Sequence, residues 1–409
     1  MKIESPIYRF EKFDKNWLFV KISDLASQFK TGGTPSTKEP TFWGGSIPWI
    51  QSSDIQKDIL FGVIPQKFIS EEGLQNSSAK LIPKNSIAIV TRVGVGKLAI
   101  IDQDYATSQD FLSLSDFDED ILFIVYSIYR MLQKESTQLQ GTSIKGITKE
   151  DLLSKKICLP EIDEQTAIGS LFRTLDDLLA SYKDNLANYR SLKATMLSKM
   201  FPKAGQTVPE IRLDGFEGEW EVLRLSDICQ KVTEKNKDNN FNETFTNSAE
   251  FGIINQRDFF EKDISNVKSL NTYYVVRNND FVYNPRISNY APVGPVKRNK
   301  LGRTGVMSPL YFVFRIINSN IDLNFLETFF NTNIWHKFMK LNGDSGARAD
   351  RFAIKDSIFL TMPIAFPSHS EQQAIGSYFS NLDNLIAAHQ EKISQLETLK
   401  KKLLQDMFI

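Results

Sequence analysis

The chain lacks most of what would announce an activity. Its 409 residues include two cysteines, Cys158 and Cys229. Two cannot staple a chain of this size, which predicts a reducing, cytoplasmic setting. There are three histidines, His336, His369 and His389, and the "HSE" at 369–371 is followed by no Pro-Cys-x-x-Cys, so it does not open a zinc deaminase site. No metal site is expected. No apolar run approaches the roughly 18 to 20 residues of a membrane span. The opening "MKIESPIYRFEKFDKNW" has no apolar signal core, so no membrane partner or export is expected. Neither sign of charge dominates, with 49 basic and 49 acidic residues. Any nucleic-acid surface must therefore be local.

Catalytic signatures are also missing. In "TRVGVGK", Thr91 to Lys97, the residue after the lysine is Leu98, where a phosphate-binding loop needs Ser or Thr. Ala99 stands where a dinucleotide loop needs its third glycine. Arg92 occupies the place of the phenylalanine in the cofactor loop of adenine methyltransferases. "NPRI" from Asn284 lacks the second proline and the aromatic of their catalytic loop. No lysine has an acidic residue two positions before it, which removes the usual metal-nuclease core. The chain is predicted to catalyse nothing alone and to hold no cofactor.

What is present is a repeat. "EQTAIGSLFRTLD" (164–176) returns as "EQQAIGSYFSNLD" (371–383), identical at nine of thirteen positions. The match extends without a gap from 160–201 onto 367–408. A second echo opens each half and shares Pro6/Pro209, Arg9/Arg212, Phe13/Phe216, Trp17/Trp220 and Ser23-Asp24/Ser226-Asp227. The period of about 200 residues marks a duplicated two-part unit, not a solenoid. The predicted parts are a first globular body (1–159), a helix and linker (160–204), a second body (205–366) and a final helix (367–409).

Both tails carry a heptad pattern. In the first, apolar residues fall at Ile168, Phe172, Leu175, Leu179, Tyr182, Leu186, Tyr189, Leu192, Met196 and Met200. In the second the seam runs through Ile375, Phe379, Leu382, Ile386, His389, Ile393, Leu396, Leu399, Leu403 and Met407, His389 being its polar member. Each skips a residue before Leu192 or Leu399, which predicts a local shift of the supercoil. Asp163 and Ser370 stand where N-caps are expected, and Glu164 and Glu371 suit the positive helix end. Gly169 and Gly376 invite close approach of a partner. The expected arrangement is two long helices packed antiparallel; the alternative is two amphipathic helices, each lying on its own body.

The bodies read as α+β with a curved sheet. "NSIAIVTRVGVGKLAII" (85–101) and "NDFVYNPRISNYAPVGPV" (279–296) each predict strand, turn, strand, and "SPLYFVFRII" (308–317) a buried strand. "FNETFTNSAEFG" and "TGGTPSTKEPTFWGGSIPW" predict loops. Two windows lack acidic residues. One, between Glu72 and Asp102, holds Lys80, Lys84, Arg92 and Lys97. The other, between Asp280 and Asp322, holds Arg286, Lys297, Arg298, Lys300, Arg303 and Arg315. A third basic loop, "GDSGARADRFAIK" (343–355), carries Arg348, Arg351 and Lys355, and its counterpart "GTSIKGITK" (141–149) carries Lys145 and Lys149. Lysine and arginine neutralise phosphates, and arginine also reads guanine edges. Such windows at corresponding places in two bodies predict two DNA-reading heads. A helix from about 163 to 200 would span roughly 57 Å, enough to act as a ruler between two half-sites.

On these residues the chain resembles the DNA specificity subunit of type I restriction–modification systems. The resemblance rests on "TGGTPSTKEPTFWGGSIPWI" (31–50), on the helix starts "LPEIDEQTAIG" and "FPSHSEQQAIG", and on the restart "GFEGEW" after "MFPKAGQTVPEIRL". It implies two target-recognition domains separated by two long antiparallel helices in a circular pseudo-twofold arrangement. It implies double-stranded DNA as ligand, two methyltransferase subunits that carry S-adenosylmethionine and modify adenine N6, and motor–nuclease subunits as partners. The second body has no "GGTP" after "LSDICQKVTEK", as expected where two domains read different sequences. The rival readings are a coiled-coil adaptor that binds proteins, and a self-contained methyltransferase or nuclease.

Overall fold

Central strands buried on both faces build the same sheet twice. The structure, a computed structural model, describes residues 5–92, 94–138, 146–259, 267–345 and 350–409. Its contacts gather into two units, Met1–Lys183 with Glu391–Ile409, and Asp184–Gln390. In the first unit the strands Ala26–Thr31, Phe111–Phe117, Ser86–Val90 and Leu98–Ile101 lie side by side in that order, all antiparallel. In the second, Cys229–Lys231, Phe312–Ile316, Phe281–Tyr283 and Val296–Arg298 repeat the order. Side chains alternate across a strand. Ile87 and Ile89 enter one core, and Ala88 and Val90 the core on the other face. Phe281 and Tyr283 divide from Val282 in the same way. Both predicted strand–turn–strand segments and the strand at 308–317 form as expected.

Two segments expected to be loops contain strands. Within "FNETFTNSAEFG", Phe245–Ser248 pairs with Gly252–Asn255 as a hairpin. Within the Gly- and Pro-rich stretch of the first body, Trp43–Ile50 is a strand flanked by Lys67–Ile69 and Ala106–Thr107. Its register slips between Trp43 and Ile47, which accommodates the glycines inside it.

Among the helices that pack around these sheets are α1 (Ile121–Gln138), α2 (Ile162–Lys199), α3 (Leu323–Phe330) and α4 (His369–Asp406). No helix among the described residues is long and apolar enough to cross a membrane. The repeated opening segment is clipped to the strand that leads into each long helix. Leu18–Lys21 pairs with Lys156–Leu159, and Glu221–Arg224 with Pro363–Phe366. Trp17 then sets its ring edge-on to Phe123 of α1 at 5.8 Å, and Trp220 does the same to Phe325 of α3 at 5.7 Å.

The repeated "EQ…G" motif has a contact for each letter the two copies share. Glu164 is fully buried and accepts two hydrogen bonds from Arg9, at 2.7 and 2.6 Å. Glu371 holds Arg212 in the same way at 2.8 and 2.6 Å. The neighbouring Gln165 accepts from the Asp120 N–H at 3.1 Å and donates to the Pro160 carbonyl at 3.0 Å. Gln372 repeats this with Asp322 and Pro367, both at 3.0 Å. A Cβ on Gly169 would lie 2.7 Å from Asp120 Oδ1, and one on Gly376 2.7 Å from Asp322 Oδ1. The glycines thus admit the starts of α1 and α3, the helices of their own units, and not the facing long helix. The glutamates serve the opening arginines as ion partners, beyond any role at the helix end.

The long helices serve both readings made of them. In the first unit Ile168, Phe172, Leu175 and Leu179 of α2 join one core with Phe123 and Tyr126 of α1 and with Leu396, Leu404, Met407 and Phe408. In the second, Ile375, Phe379 and Leu382 of α4 share a core with Phe325 of α3 and with Met200 and Phe201. Leu186, Ile386 and Ile393 are half-buried. Helix-to-helix pairs run in opposite directions: Asp176 with Lys400 and Lys183 with Glu397 in the first unit, Tyr189 with His389 and Lys193 with Asp383 in the second. The packing is antiparallel in each.

Two expectations for these helices are corrected. The heptad is not broken before Leu192 and Leu399, which are 37% and 45% exposed. Lys193 and Lys400 occupy the seam positions, and each meets an aspartate of the facing helix. An apolar-only pattern misses a lysine whose stem packs while its ammonium finds a carboxylate. The helices also start earlier than Asp163 and Ser370 imply. α2 begins at Ile162, and Ser368, ahead of His369, accepts from the Glu371 N–H at 3.3 Å.

Candidate nucleic-acid interface

Arg92 and Arg286 hold one position in two copies of the sheet. Ile87 pairs with Leu114 and Phe281 with Phe314 on the neighbouring strand; 87 to 92 and 281 to 286 are the same five steps. In the first unit the Thr91 carbonyl accepts from the Ile147 N–H at 2.8 Å, and in the second the Pro285 carbonyl accepts from Phe352 at 2.7 Å. The two basic loops at the ends of the bodies are therefore stitched beside the two acid-free windows. Arg92 and Arg286 are exposed immediately beyond these stitches.

The second unit shows the consequence most fully. Arg286 and Arg351, far apart in sequence, form a backbone bridge. Ile287 donates to the Asp350 carbonyl at 3.0 Å on one side of it. The Arg286 loop is held at its base. Asn284 accepts from the Arg286 N–H at 3.0 Å and donates to the Asn247 carbonyl at 2.8 Å. Gly294, at φ +83°, closes the loop where a Cβ would come within 2.1 Å of the Asn284 carbonyl; both the angle and the space require glycine. Beyond the stitch, Ser288 and Ala291 exchange two hydrogen bonds at 3.1 Å, and Tyr290 at the tip is 80% exposed. Arg286, Tyr290 and Arg351 border a cleft of about 610 Å³.

The other basic residues divide by their partners. Lys80 and Lys84 are exposed, and Lys97 is half-buried with its ammonium on the Ser52 carbonyl at 3.1 Å. Lys297, Arg298 and Lys300 turn toward α3. Arg298 reaches Glu327 at 2.8 Å and Asn324 at 2.6 Å with its side chain 8% exposed. Lys300 reaches Glu327 at 3.5 Å and Lys297 donates to Asn331 at 2.9 Å. Burial, with Lys193 nearby, pulls the Lys297 pKa below the ordinary lysine range. Arg303 holds Glu243 by two hydrogen bonds at 2.8 and 2.7 Å, and these depress the Glu243 carboxyl pKa. Arg315 is bound likewise to the buried Asp280 at 2.7 and 2.8 Å. The acid-free window at 281–321 is thus acid-free in sequence alone, because α3 and the loops that lead into neighbouring strands bring carboxylates to it. Lys145 and Arg348 lie outside the described residues.

Sequence reasoning misses the wall of the cleft. Asn247 and Gln256 border it, and each has a buried side-chain oxygen with no hydrogen-bond partner among the described residues. Asn247 belongs to the hairpin whose letters read as a loop, and Gln256 follows it directly, so no periodicity points to them.

Comparison with known proteins fits this doubled architecture. A family model described as "Type I restriction modification DNA specificity domain" matches residues 14–188 and again 217–398. The chain belongs to that family and carries its domain twice. It is 26% identical over 232 residues to the type I restriction enzyme MjaIX specificity subunit of Methanocaldococcus jannaschii. That alignment covers 54% of this chain and 53% of the relative, so the chain spans about half the length of this curated relative. The MjaVIII specificity subunit of the same organism is 22% identical over 426 residues, covering 99% of this chain and 96% of the relative. Among solved structures, the S subunit of a type I restriction–modification system from M. genitalium matches with a TM-score of 0.61 at 14% identity, covering 99% of each chain. At that identity the likeness concerns the fold.

Proposed function

We propose that the chain is the non-catalytic reader of a type I restriction–modification complex, and that each unit binds one half of a split double-stranded DNA site. The observation that carries this is the matched placement of Arg92 and Arg286 on exposed loops after equivalent strands. Family membership supports it, as does the bridge that doubles the charge at Arg286 with Arg351. The loops themselves differ, "TRVGVGK" against "NPRISNY", so the two half-sites should differ. In this reading phosphate contacts fix the register, while loop tips and cleft walls read bases. The transfer of a methyl group to adenine N6 belongs to two partner methyltransferase subunits, which hold S-adenosylmethionine. Motor–nuclease subunits join them for cleavage.

Salt-dependent binding tests the reading. Arg92→Ala, Arg286→Ala and Arg351→Ala should each weaken duplex binding and reduce the slope of log affinity against log salt by about 1. Arg298→Ala, whose guanidinium already holds Glu327, should leave that slope unchanged. Equal slopes for all four variants would overturn the assignment of the loops, and no salt dependence at all would favour the protein-binding adaptor.

A further inference from the structure

We infer that the cleft of the second unit takes the major-groove edge of an adenine or a cytosine, recognised through its exocyclic amino group; this rests on the DNA-reading function proposed above. The argument starts from the orphaned oxygens. Asn247 is 2% exposed, and its amide nitrogen donates to the Val282 carbonyl at 2.7 Å and the Pro295 carbonyl at 3.3 Å. Those bonds fix which end of the amide is which, and Oδ1 has no donor among the described residues. Gln256 Oε1 is buried and likewise without a donor among the described residues. A buried acceptor left unmatched is unfavourable, so a donor that reached it from the cleft would be stabilised.

The surroundings narrow what that donor is. Arg286 and Arg351 border the same cleft, so a cationic lysine or arginine of another protein would be repelled, whereas a phosphate would be attracted. Tyr290, 80% exposed at the loop tip, offers an aromatic face of the kind that stacks on bases. A ligand that is anionic along its backbone and presents a neutral N–H donor is a nucleotide bearing an amino group. In the major groove that group is adenine N6 or cytosine N4, since guanine and thymine show acceptors there. Asn247 and Gln256 are therefore assigned as specificity-determining residues of the second half-site, with Arg286 and Arg351 on the flanking phosphates.

The experiment uses the full chain in complex with its methyltransferase. Selection from random duplexes first defines the bound sequence. Each adenine and cytosine of the selected site is then replaced by an analogue lacking the amino group, and affinity is measured for the wild type and for Gln256→Leu. In the wild type, one position in one half-site should lose about tenfold or more, the discrimination typical of a good polar base contact. In Gln256→Leu the same replacement should cost at most twofold, while the other half-site is selected unchanged, which also reports that the variant folds. Tyr290→Ala, at an exposed tip, should weaken binding to the same half-site. Wild-type affinity within twofold for every analogue, or equal sensitivity in the variant, would overturn the inference while leaving DNA reading intact. Failure of the wild type to select any duplex would instead remove the proposed function, and this inference with it.

Discussion

Breaking the ion pair between Lys400 and Asp176 should destabilise the first unit far more than breaking the equivalent pair, Lys193 with Asp383, destabilises the second. The two lie at the same place in the repeat, but their surroundings differ. Lys400 and Asp176 have side chains 10% and 18% exposed, against 23% and 53% for Lys193 and Asp383. Asp176 also accepts from the Tyr126 hydroxyl at 2.6 Å. Burial and the Asp176 charge push the Tyr126 pKa well above the usual tyrosine range, so the hydroxyl keeps its proton and donates at all ordinary pH. In Lys400→Met the carboxylate keeps that one hydrogen bond and loses its ammonium. Stranding a buried charge costs about 3–5 kcal/mol, and the remaining donor should bring this down to about 2 kcal/mol. For Lys193→Met the more exposed aspartate is solvated by water, and the loss should be under about 1 kcal/mol. A cycle with Asp176→Asn should give a coupling energy of about 1.5 kcal/mol in the first unit, and a cycle with Asp383→Asn below about 0.5 kcal/mol in the second. A chain of two units need not unfold in one step, so the readout is native-state hydrogen exchange of core amides in Ser86–Val90 and Phe281–Tyr283 as urea is raised. Equal losses in the two units, or a coupling near zero at Lys400, would refute the view that burial and not heptad position sets the strength of these pairs.

Two further outcomes rest on ion pairs and burial elsewhere in the fold. Glu164→Gln and Glu371→Gln each replace a buried carboxylate by a neutral amide and leave a half-buried guanidinium without its charge partner, and both should cost about 2 kcal/mol. Their side-chain exposures, 0% and 1%, are nearly the same, so a difference above about 1 kcal/mol in urea unfolding would mean that the repeated opening segments do not perform one structural task. Lys297 titrates below its ordinary range because burial disfavours its charge. The folded state therefore binds this proton less tightly than the unfolded state. The resulting penalty is present at neutral pH and fades as pH rises toward the unfolded lysine value of about 10.4. Lys297→Met should leave stability at pH 7 equal or higher and flatten its rise as pH climbs into the lysine range; a clear loss at pH 7 would show that the bond to Asn331 outweighs burial.

How much of the molecule is legible in its residues depends on the range over which each feature is set. The long helices and the central strands are set by local periodicity, and a heptad or an alternating run declares itself in a dozen residues. The two lysines in the seam escape because a heptad reading counts side chains as apolar or not. Lys400 meets the rule through its stem and satisfies its ammonium on a residue 224 positions away. The candidate site is legible in part. Arg92 and Arg286 stand out because each follows a strand inside an acid-free window. That same criterion admits Arg298, Arg303 and Arg315, whose carboxylates Glu327, Glu243 and Asp280 come from outside the stretch or from its edge. A one-dimensional charge window finds where cations are numerous and says nothing of which remain unmatched in three dimensions. The converse holds for the cleft. Asn247 and Gln256 are ordinary letters in a polar stretch, and what marks them is a hydrogen bond that is absent, a property that exists only once the hairpin has folded against Val282 and Pro295. Basic residues are best weighed for function after their own fold has taken its share of them, and polar residues after it has failed to use them.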